Sequence, residues 1–145
     1  MSSLATHGNP VPQGTYISAK RHCGLVFTSG MTPRADGNLL FHGLVRIDEP
    51  IESYRDAVVL ACSNALVAAR STLIADEALT AVVSLTVYVA AEDGFNAHSR
   101  IADFASQFLE AELGAAGIGS RCAIGVSALP GNAPIEIQLI AAICS

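Results

Sequence analysis

The run LTAVVSLTVYVA at residues 79–90 constrains the fold of this chain more than any other segment. It is rich in β-branched residues, which favour strands because their side chains pack well on a pleated surface. Every second residue of the run would lie on the same face of a strand. One face would be wholly apolar, and the other would carry Ser84, Thr86 and Tyr88. We therefore predict a strand in the interior of a sheet, with one face less apolar than the other.

Helical patterns flank this strand on both sides. Residues 51–73 and 95–113 place apolar side chains at three-to-four spacing; Pro50 precedes the first helix, and Gly114 and Gly117 end the second. An Asp36-Gly37 pair predicts a hairpin turn. The remaining strands are expected at residues 16–22, 25–29, 39–41, 122–126 and 135–143.

The order β-β-β-α-β-α-β-β predicts an α+β fold with a six-stranded mixed sheet and both helices on one face. Strands linked through a helix pair in parallel, whereas hairpins supply antiparallel pairs. No predicted element remains to cover the other face of the sheet. We therefore expect copies of the chain to cover it. Residues 1–145 are interpreted as a single domain, with residues 1–15 as an irregular arm rich in Pro, Gly, Asn and Ser.

The composition agrees with self-association. Hydrophobic residues make up 51% of the 145 positions, and Asp, Glu, Lys and Arg together only 14%. A span of about 18 uncharged apolar residues, which would indicate a membrane helix, is missing from the sequence. The apolar surplus therefore predicts an oligomer.

Charge and cysteine usage narrow the class of function. The net charge is −5, and the eight basic residues are scattered, which argues against a nucleic-acid surface. The four cysteines, Cys23, Cys62, Cys122 and Cys144, form no metal-ligand spacing and are interpreted as small buried residues. Free cysteines and the lack of a secretory signal predict a cytoplasmic protein.

The segment RCAIGVSALPGNAPIE at residues 121–136 carries the candidate chemistry. It is interpreted as two strands joined by a Leu-Pro-Gly-Asn turn, with Arg121 at its start and Glu136 after the turn. A charge in an apolar strand is costly unless it meets a partner or a ligand, so a small anionic ligand is one explanation. A tight hairpin would place Glu136 opposite about residue 125, so spacing alone does not bring Arg121 and Glu136 together.

Together these segments resemble the Rid family (reactive intermediate deaminases, or YjgF/YER057c/UK114 family) over nearly the whole chain. The most specific matches are FTSG at residues 27–30, the strand ending at Val87-Tyr88-Val89, and the pattern R-x4-V-x2-LP-x5-E from Arg121 to Glu136. Further matches in family order are Gly14, Tyr16, Gly37, Gly43, Val45, Asn64-Ala65-Leu66 and Phe95.

The resemblance implies a chorismate-mutase-like fold that assembles as a homotrimer around a central β-barrel, with ligand clefts between subunits. It implies that Arg121 binds a substrate carboxylate and that Glu136 holds or activates the water that attacks an imine carbon. The products would be ammonia and a 2-keto acid, formed without a metal or another cofactor. The implied partners are a small 2-imino or 2-keto acid and further copies of the chain, without nucleic acid or membrane. The implied binding residues are Tyr16, Ser29, Gly30, Tyr88 and Ala123.

Several positions depart from the family pattern. Thr15 replaces a common Pro, Met31 a common Gln and Ala123 a common Cys, and the loops near residues 92–98 and 113–120 are long. His98 is interpreted as a solvent-exposed helix residue. The alternatives to an imine deaminase are a ligand-binding or interaction trimer without turnover and, less favoured because of the acidic charge, an endoribonuclease.

Overall fold

A computed structural model describes residues 8–145 as a mixed sheet packed against two helices. The predicted mixed α+β architecture with two helices is confirmed. Residues 1–7, which belong to the predicted arm, lie outside the described residues. The strands are β1 Ala19–His22, β2 Leu25–Thr28, β3 Arg34–Ala35, β4 Asn38–Leu39, β5 Ala78–Ala90, β6 Ser120–Val126 and β7 Ile135–Cys144, and the helices are α1 Arg55–Arg70 and α2 His98–Leu113.

The main sheet has five strands in the order β1-β2-β7-β5-β6. Strand β5 lies inside the sheet as expected, antiparallel to β7 and parallel to β6, to which it connects through α2. The prediction of one six-stranded sheet is wrong. Strands β3 and β4 pair with each other in a separate two-stranded sheet around the Asp36-Gly37 turn. Both turn residues have positive φ, at 53° and 82°, as a two-residue hairpin of this twist requires.

Strands β6 and β7 are not neighbours, although the turn between them suggested a hairpin. Strand β5 lies between them. The connection passes the end of β5, where the Ala90 amide donates to the Pro134 carbonyl at 2.9 Å. Each edge of β5 is therefore satisfied by a different strand, and the register of Glu136 is set by β5 rather than by the turn.

Local hydrogen bonds explain why the elements are shorter than their sequence patterns. Residues 16–22 become a strand only from Ala19, because the Tyr16 amide turns back to the Gly14 carbonyl. Helix α1 follows a 3-10 turn at Ile51–Tyr54 and stops at Arg70, where Ser71 and Thr72 hydroxyls bond to its last carbonyls. Helix α2 starts at His98, three residues later than expected, because the backbone of Ala97 is not helical, with φ at −102° and ψ at 34°.

Both helices bury their apolar sides on one face of the sheet. Helix α1 is rich in Ala, which lets it approach the strands closely, and it is buried from Ala57 to Ala69 except at Val67. The sheet side of this core comprises Val26, Leu85, Val87, Val89, Ile135, Ile137, Leu139 and Ala141. This helix-covered face holds the hydrophobic core that stabilises the fold.

The opposite face of the sheet, the open face, is not covered by any element of residues 8–145. It exposes Phe27 and Ile124 by 38% and 40% and carries half-buried Tyr88, Gln138 and Ile140. Among residues 8–145, no helix is long and apolar enough to cross a membrane.

The expectation that all four cysteines are buried is wrong. Cys62 is buried in α1, where burial raises the pKa of its thiol, but Cys23, Cys122 and Cys144 are exposed in the described chain. Cys23 lies in the turn between β1 and β2, with φ at 51°, and Cys122 lies on the open face opposite Thr86. Their positions in a turn and on an uncovered strand face explain the exposure.

We expect Leu139→Ala to lower the free energy of unfolding by about 2–5 kcal/mol, because it leaves a cavity in the core. Leu139 is fully buried in the central strand β7, beside Leu85 of β5. Leu40, which is 52% exposed, provides the control, and Leu40→Ala should change stability by about 0.5 kcal/mol or less. Urea denaturation measures both, and equal losses would contradict this core assignment.

Candidate functional site

Glu136 lies on the open face, where Gly30 leaves room for its side chain. It pairs with Tyr88 across β5 and β7. A Cβ on Gly30 would lie 2.4 Å from Glu136 Oε2, so the carboxylate occupies space that any other residue at position 30 would fill. The backbones of Met31 and Ile137 exchange hydrogen bonds of 2.7 and 2.8 Å, which hold the Gly30 segment against β7. Tyr88, Gly30 and Glu136, all sequence-predicted, therefore meet at one place.

The carboxylate of Glu136 is half-buried. Within residues 8–145 no hydrogen bond or ion pair compensates for its burial, and desolvation raises its pKa above the ordinary value. A carboxyl group in this environment is suited to hold a water molecule and to exchange a proton with it. Carboxyl groups whose pKa is raised by desolvation are frequent at functional sites.

Ser29 and Tyr16, also predicted to bind substrate, have structural contacts in the segment before β1. The Ser29 hydroxyl donates to the Ile17 carbonyl at 2.6 Å, and its amide donates to Ser18 at 2.9 Å. Tyr16 is 47% exposed, and its hydroxyl accepts a hydrogen bond from the Gln13 amide at 3.0 Å. These contacts fix the segment beside Gly30, and neither hydroxyl bonds to Glu136 in the described chain.

Arg121 lies on the other face of the sheet, at its β6 edge. Its Nη1 donates to Asp103 Oδ1 at 2.8 Å and to Ser106 Oγ at 3.0 Å. Its Nη2 donates to the hydroxyl and the carbonyl of Ser99 at 2.8 and 3.3 Å. All three partners are on α2, and the Arg121 side chain remains 22% exposed.

The register of β5 shows that Arg121 and Glu136 project from opposite faces of the sheet. Leu85 pairs with Arg121 on β6 and with Leu139 on β7, which faces the helices. Tyr88, three residues further along β5, pairs with Ile124 and Glu136 on the open face. Ala123 shares the helix-covered face with Arg121. The predicted site residues thus form two groups, which one chain does not bring together.

The helix residues around Arg121 were not among those predicted from the sequence. Ser99, Asp103 and Ser106 are spaced by four and three positions, so they form a polar stripe on one side of α2. That spacing was visible in the sequence, but only the pairing of β6 with β5 places the stripe beside Arg121.

His98 is half-buried, so the expectation of a solvent-exposed residue is wrong. Its ring lies 5.1 Å from that of Phe95, edge to face, and a Cβ on Gly125 would come within 2.5 Å of Nε2. The ring borders a cavity of about 280 Å³ that includes Glu92, Asp93 and Ser127. Within residues 8–145, no three His, Cys, Asp or Glu side chains are grouped to hold a metal ion.

Comparison with known proteins agrees with this architecture. A family model described as Endoribonuclease L-PSP matches residues 6–143. The structure is similar to that of Atu1372 of Agrobacterium tumefaciens, a protein of unknown function, with a TM-score of 0.82, 28% identity and coverage of 99% of this chain and 92% of that chain. No curated protein matches the sequence.

Two Escherichia coli structures share the fold at lower identity. The YjgF gene product matches with a TM-score of 0.68, 19% identity and 96% coverage of both chains. TdcF, solved with bound serine, matches with a TM-score of 0.64, 21% identity and coverage of 95% of this chain and 94% of that chain. The resemblance to the YjgF/UK114 proteins is thereby confirmed.

We expect Glu136→Gln to stabilise the fold at pH 7 and to lose this advantage below the ordinary Glu pKa of about 4.3. The pKa of Glu136 is higher in the folded state than in the unfolded state. The favourable contribution of Glu136 to the free energy of unfolding is therefore complete below the unfolded-state pKa and is lost as pH rises through the folded-state pKa. Gln carries no charge and avoids that loss. Denaturant unfolding from pH 4 to 8 measures the difference, with exposed Glu110→Gln as control. A pH-independent difference would contradict the assignment.

Proposed function

Because this chain belongs to the Endoribonuclease L-PSP (YjgF/UK114) family, we propose that its cleft hydrolyses imine or enamine forms of small amino acids. The product would be a 2-keto acid together with ammonia. The observation that carries the proposal is Glu136, a half-buried carboxyl group with a raised pKa that lies over Gly30 and beside Tyr88.

Glu136 supplies the group that this hydrolysis needs. One water adds its oxygen to the imine carbon, and the C–N bond breaks after the nitrogen has taken up protons. A carboxylate that holds the water can accept a proton during attack and return it to the departing nitrogen. Its raised pKa brings the two protonation states closer in energy near neutral pH. This chemistry requires neither a covalent intermediate nor a metal.

Arg121 supplies the second function, recognition of the substrate carboxylate. A guanidinium group pairs with a carboxylate through two parallel N–H bonds, which a Lys ammonium cannot reproduce. Arg121 and Glu136 face opposite sides of one sheet, so a shared cleft takes Arg121 from one subunit and Glu136 from the next. Arg121 lies on the edge strand β6, where an adjacent subunit can reach it.

A homotrimer with a central barrel provides this arrangement. Three copies related by a rotation repeat the same junction three times and leave no open end. The open face, with exposed Phe27 and Ile124, would line the barrel and lose its contact with water. TdcF, of similar fold, was solved with bound serine, a small amino acid, which supports a small ligand derived from an amino acid for the cleft proposed here.

A ligand-binding trimer without turnover is the second candidate. The observation that favours it is the engagement of Arg121 with α2 within its own chain. Such a protein would bind a keto acid without hydrolysing an imine, so binding and rate must be measured on the same variants.

We expect Arg121→Lys to lower imine hydrolysis by about 30- to 1000-fold, because Lys keeps the charge but loses the two-point contact. Glu136→Gln should lower the rate by about 100-fold or more if Glu136 moves a proton, while affinity for a stable keto acid changes little. Keto-acid formation from enzymatically generated 2-imino acids gives the rates, and calorimetry gives the affinities. An unchanged rate would exclude the substituted residue from the mechanism. Equal losses of rate and affinity for Glu136→Gln would mean that Glu136 shapes the cleft and takes no part in the chemistry.

We also expect the two variants to complement each other. Sedimentation equilibrium should give three times the chain mass of 15.0 kDa. When Arg121→Lys and Glu136→Gln chains are co-assembled in equal amounts, about one quarter of the clefts between subunits regain both native residues. Activity should rise toward about one quarter of the wild-type value. Trimers assembled separately and then mixed serve as the control, and a co-assembled sample that is no more active than this control would contradict a cleft shared by two subunits.

A further inference from the structure

The guanidinium of Arg121 already has a carboxylate partner in its own chain. Each terminal nitrogen makes two donations to α2: Nη1 to Asp103 and Ser106, and Nη2 to the hydroxyl and carbonyl of Ser99. The 2.8 Å contact with Asp103 Oδ1 is an ion pair between a side chain that is 22% exposed and one that is 52% exposed.

A ligand carboxylate must therefore compete for these donors. Two-point pairing with a guanidinium uses either both terminal nitrogens or Nε together with one of them. Either geometry takes at least one N–H that Asp103, Ser106 or Ser99 now holds. Asp103 is the competitor with the same charge and shape as the ligand group.

We propose that Asp103 determines how strongly this site distinguishes acids from neutral ligands. The inference rests on the proposed function, because it assigns the Arg121 end of the proposed cleft to the ligand carboxylate. Asp103 neutralises Arg121, and a ligand carboxylate that takes the Nη1 donor must displace Asp103 into the solvent. The site therefore gains less binding free energy from a ligand carboxylate than a site with an unpaired arginine would. It accepts neutral imines, such as those of amino-acid amides, alongside 2-imino acids.

The exposure of Asp103 makes this exchange feasible. An exposed ion pair contributes little to stability because water solvates the released carboxylate well. The exchange therefore reduces affinity for a carboxylate without preventing binding. The remaining negative charge also repels an incoming anion, and this effect weakens as salt screens it.

Asp103→Asn tests the proposal because it removes the charge and leaves the shape. The probes are pyruvate, a stable 2-keto acid, and pyruvamide, its neutral amide. We expect Asp103→Asn to bind pyruvate about 3- to 10-fold more tightly than the wild type, since both the competition and the repulsion are weakened. Affinity for pyruvamide should not change, so the preference for acid over amide should increase by the same factor.

Glu112→Gln is the matched control on the same helix. It removes one negative charge and disrupts the exposed pair in which Arg70 Nη1 lies 3.1 Å from Glu112 Oε1, away from Arg121. Its affinity for pyruvate should equal that of the wild type. Unfolding midpoints for both variants establish that each is folded.

Calorimetric titrations of the wild type, Asp103→Asn and Glu112→Gln with pyruvate and with pyruvamide test the proposal. Equal or weaker binding of pyruvate by Asp103→Asn would overturn the proposal, as would an equal gain for pyruvamide. No detectable pyruvate binding by any of the three proteins would overturn both this proposal and the proposed function. If Asp103→Asn binds pyruvate more tightly but the wild type does not hydrolyse imines, only the deaminase function is overturned. If the wild type hydrolyses imines but Asp103→Asn binds pyruvate no more tightly, only the role of Asp103 is overturned.

Discussion

The pairing of β5 with β7 is the constraint on which the rest of this structure depends. It joins the long interior strand to the strand that carries Glu136, over a register that runs from Ala78 opposite Cys144 to Val89 opposite Ile135. Because side chains alternate along both strands, this one register assigns each residue to the core or to the open face. A shift by one position would bury the Glu136 carboxylate among the helices and expose Leu139.

The same alternation separates the two candidate functional groups. On the open face, Glu136 is desolvated without a compensating charge in the described chain, which raises its pKa and makes it chemically useful. On the helix-covered face, Arg121 is compensated by Asp103 and two serines of α2. A cleft that used both groups would therefore require an assembly of chains, and different elements of the chain would set the electrostatics of its two halves.

The sequence predicted the elements better than it predicted their arrangement. Strands β5 and β7 and both helices were recognised because their apolar periodicity is strong and local. The separate β3–β4 sheet and the position of β5 between β6 and β7 were not, since neither local propensity nor spacing specifies which strands pair at long range. For the site, family motifs identified Glu136, Gly30 and Tyr88, which the structure brings together. The partners of Arg121 and the burial of His98 depend on how α2 packs against β6, which the pattern of α2 alone does not reveal.

The function that we propose for this protein is the hydrolysis of amino-acid imines. The most direct measurement follows keto-acid release while a separate enzyme generates 2-imino acids in the presence of increasing amounts of the wild-type protein. We expect the hydrolysis rate constant of the imine to rise in proportion to the concentration of the protein. A rate constant that stays at the uncatalysed value at every concentration of folded protein would contradict it.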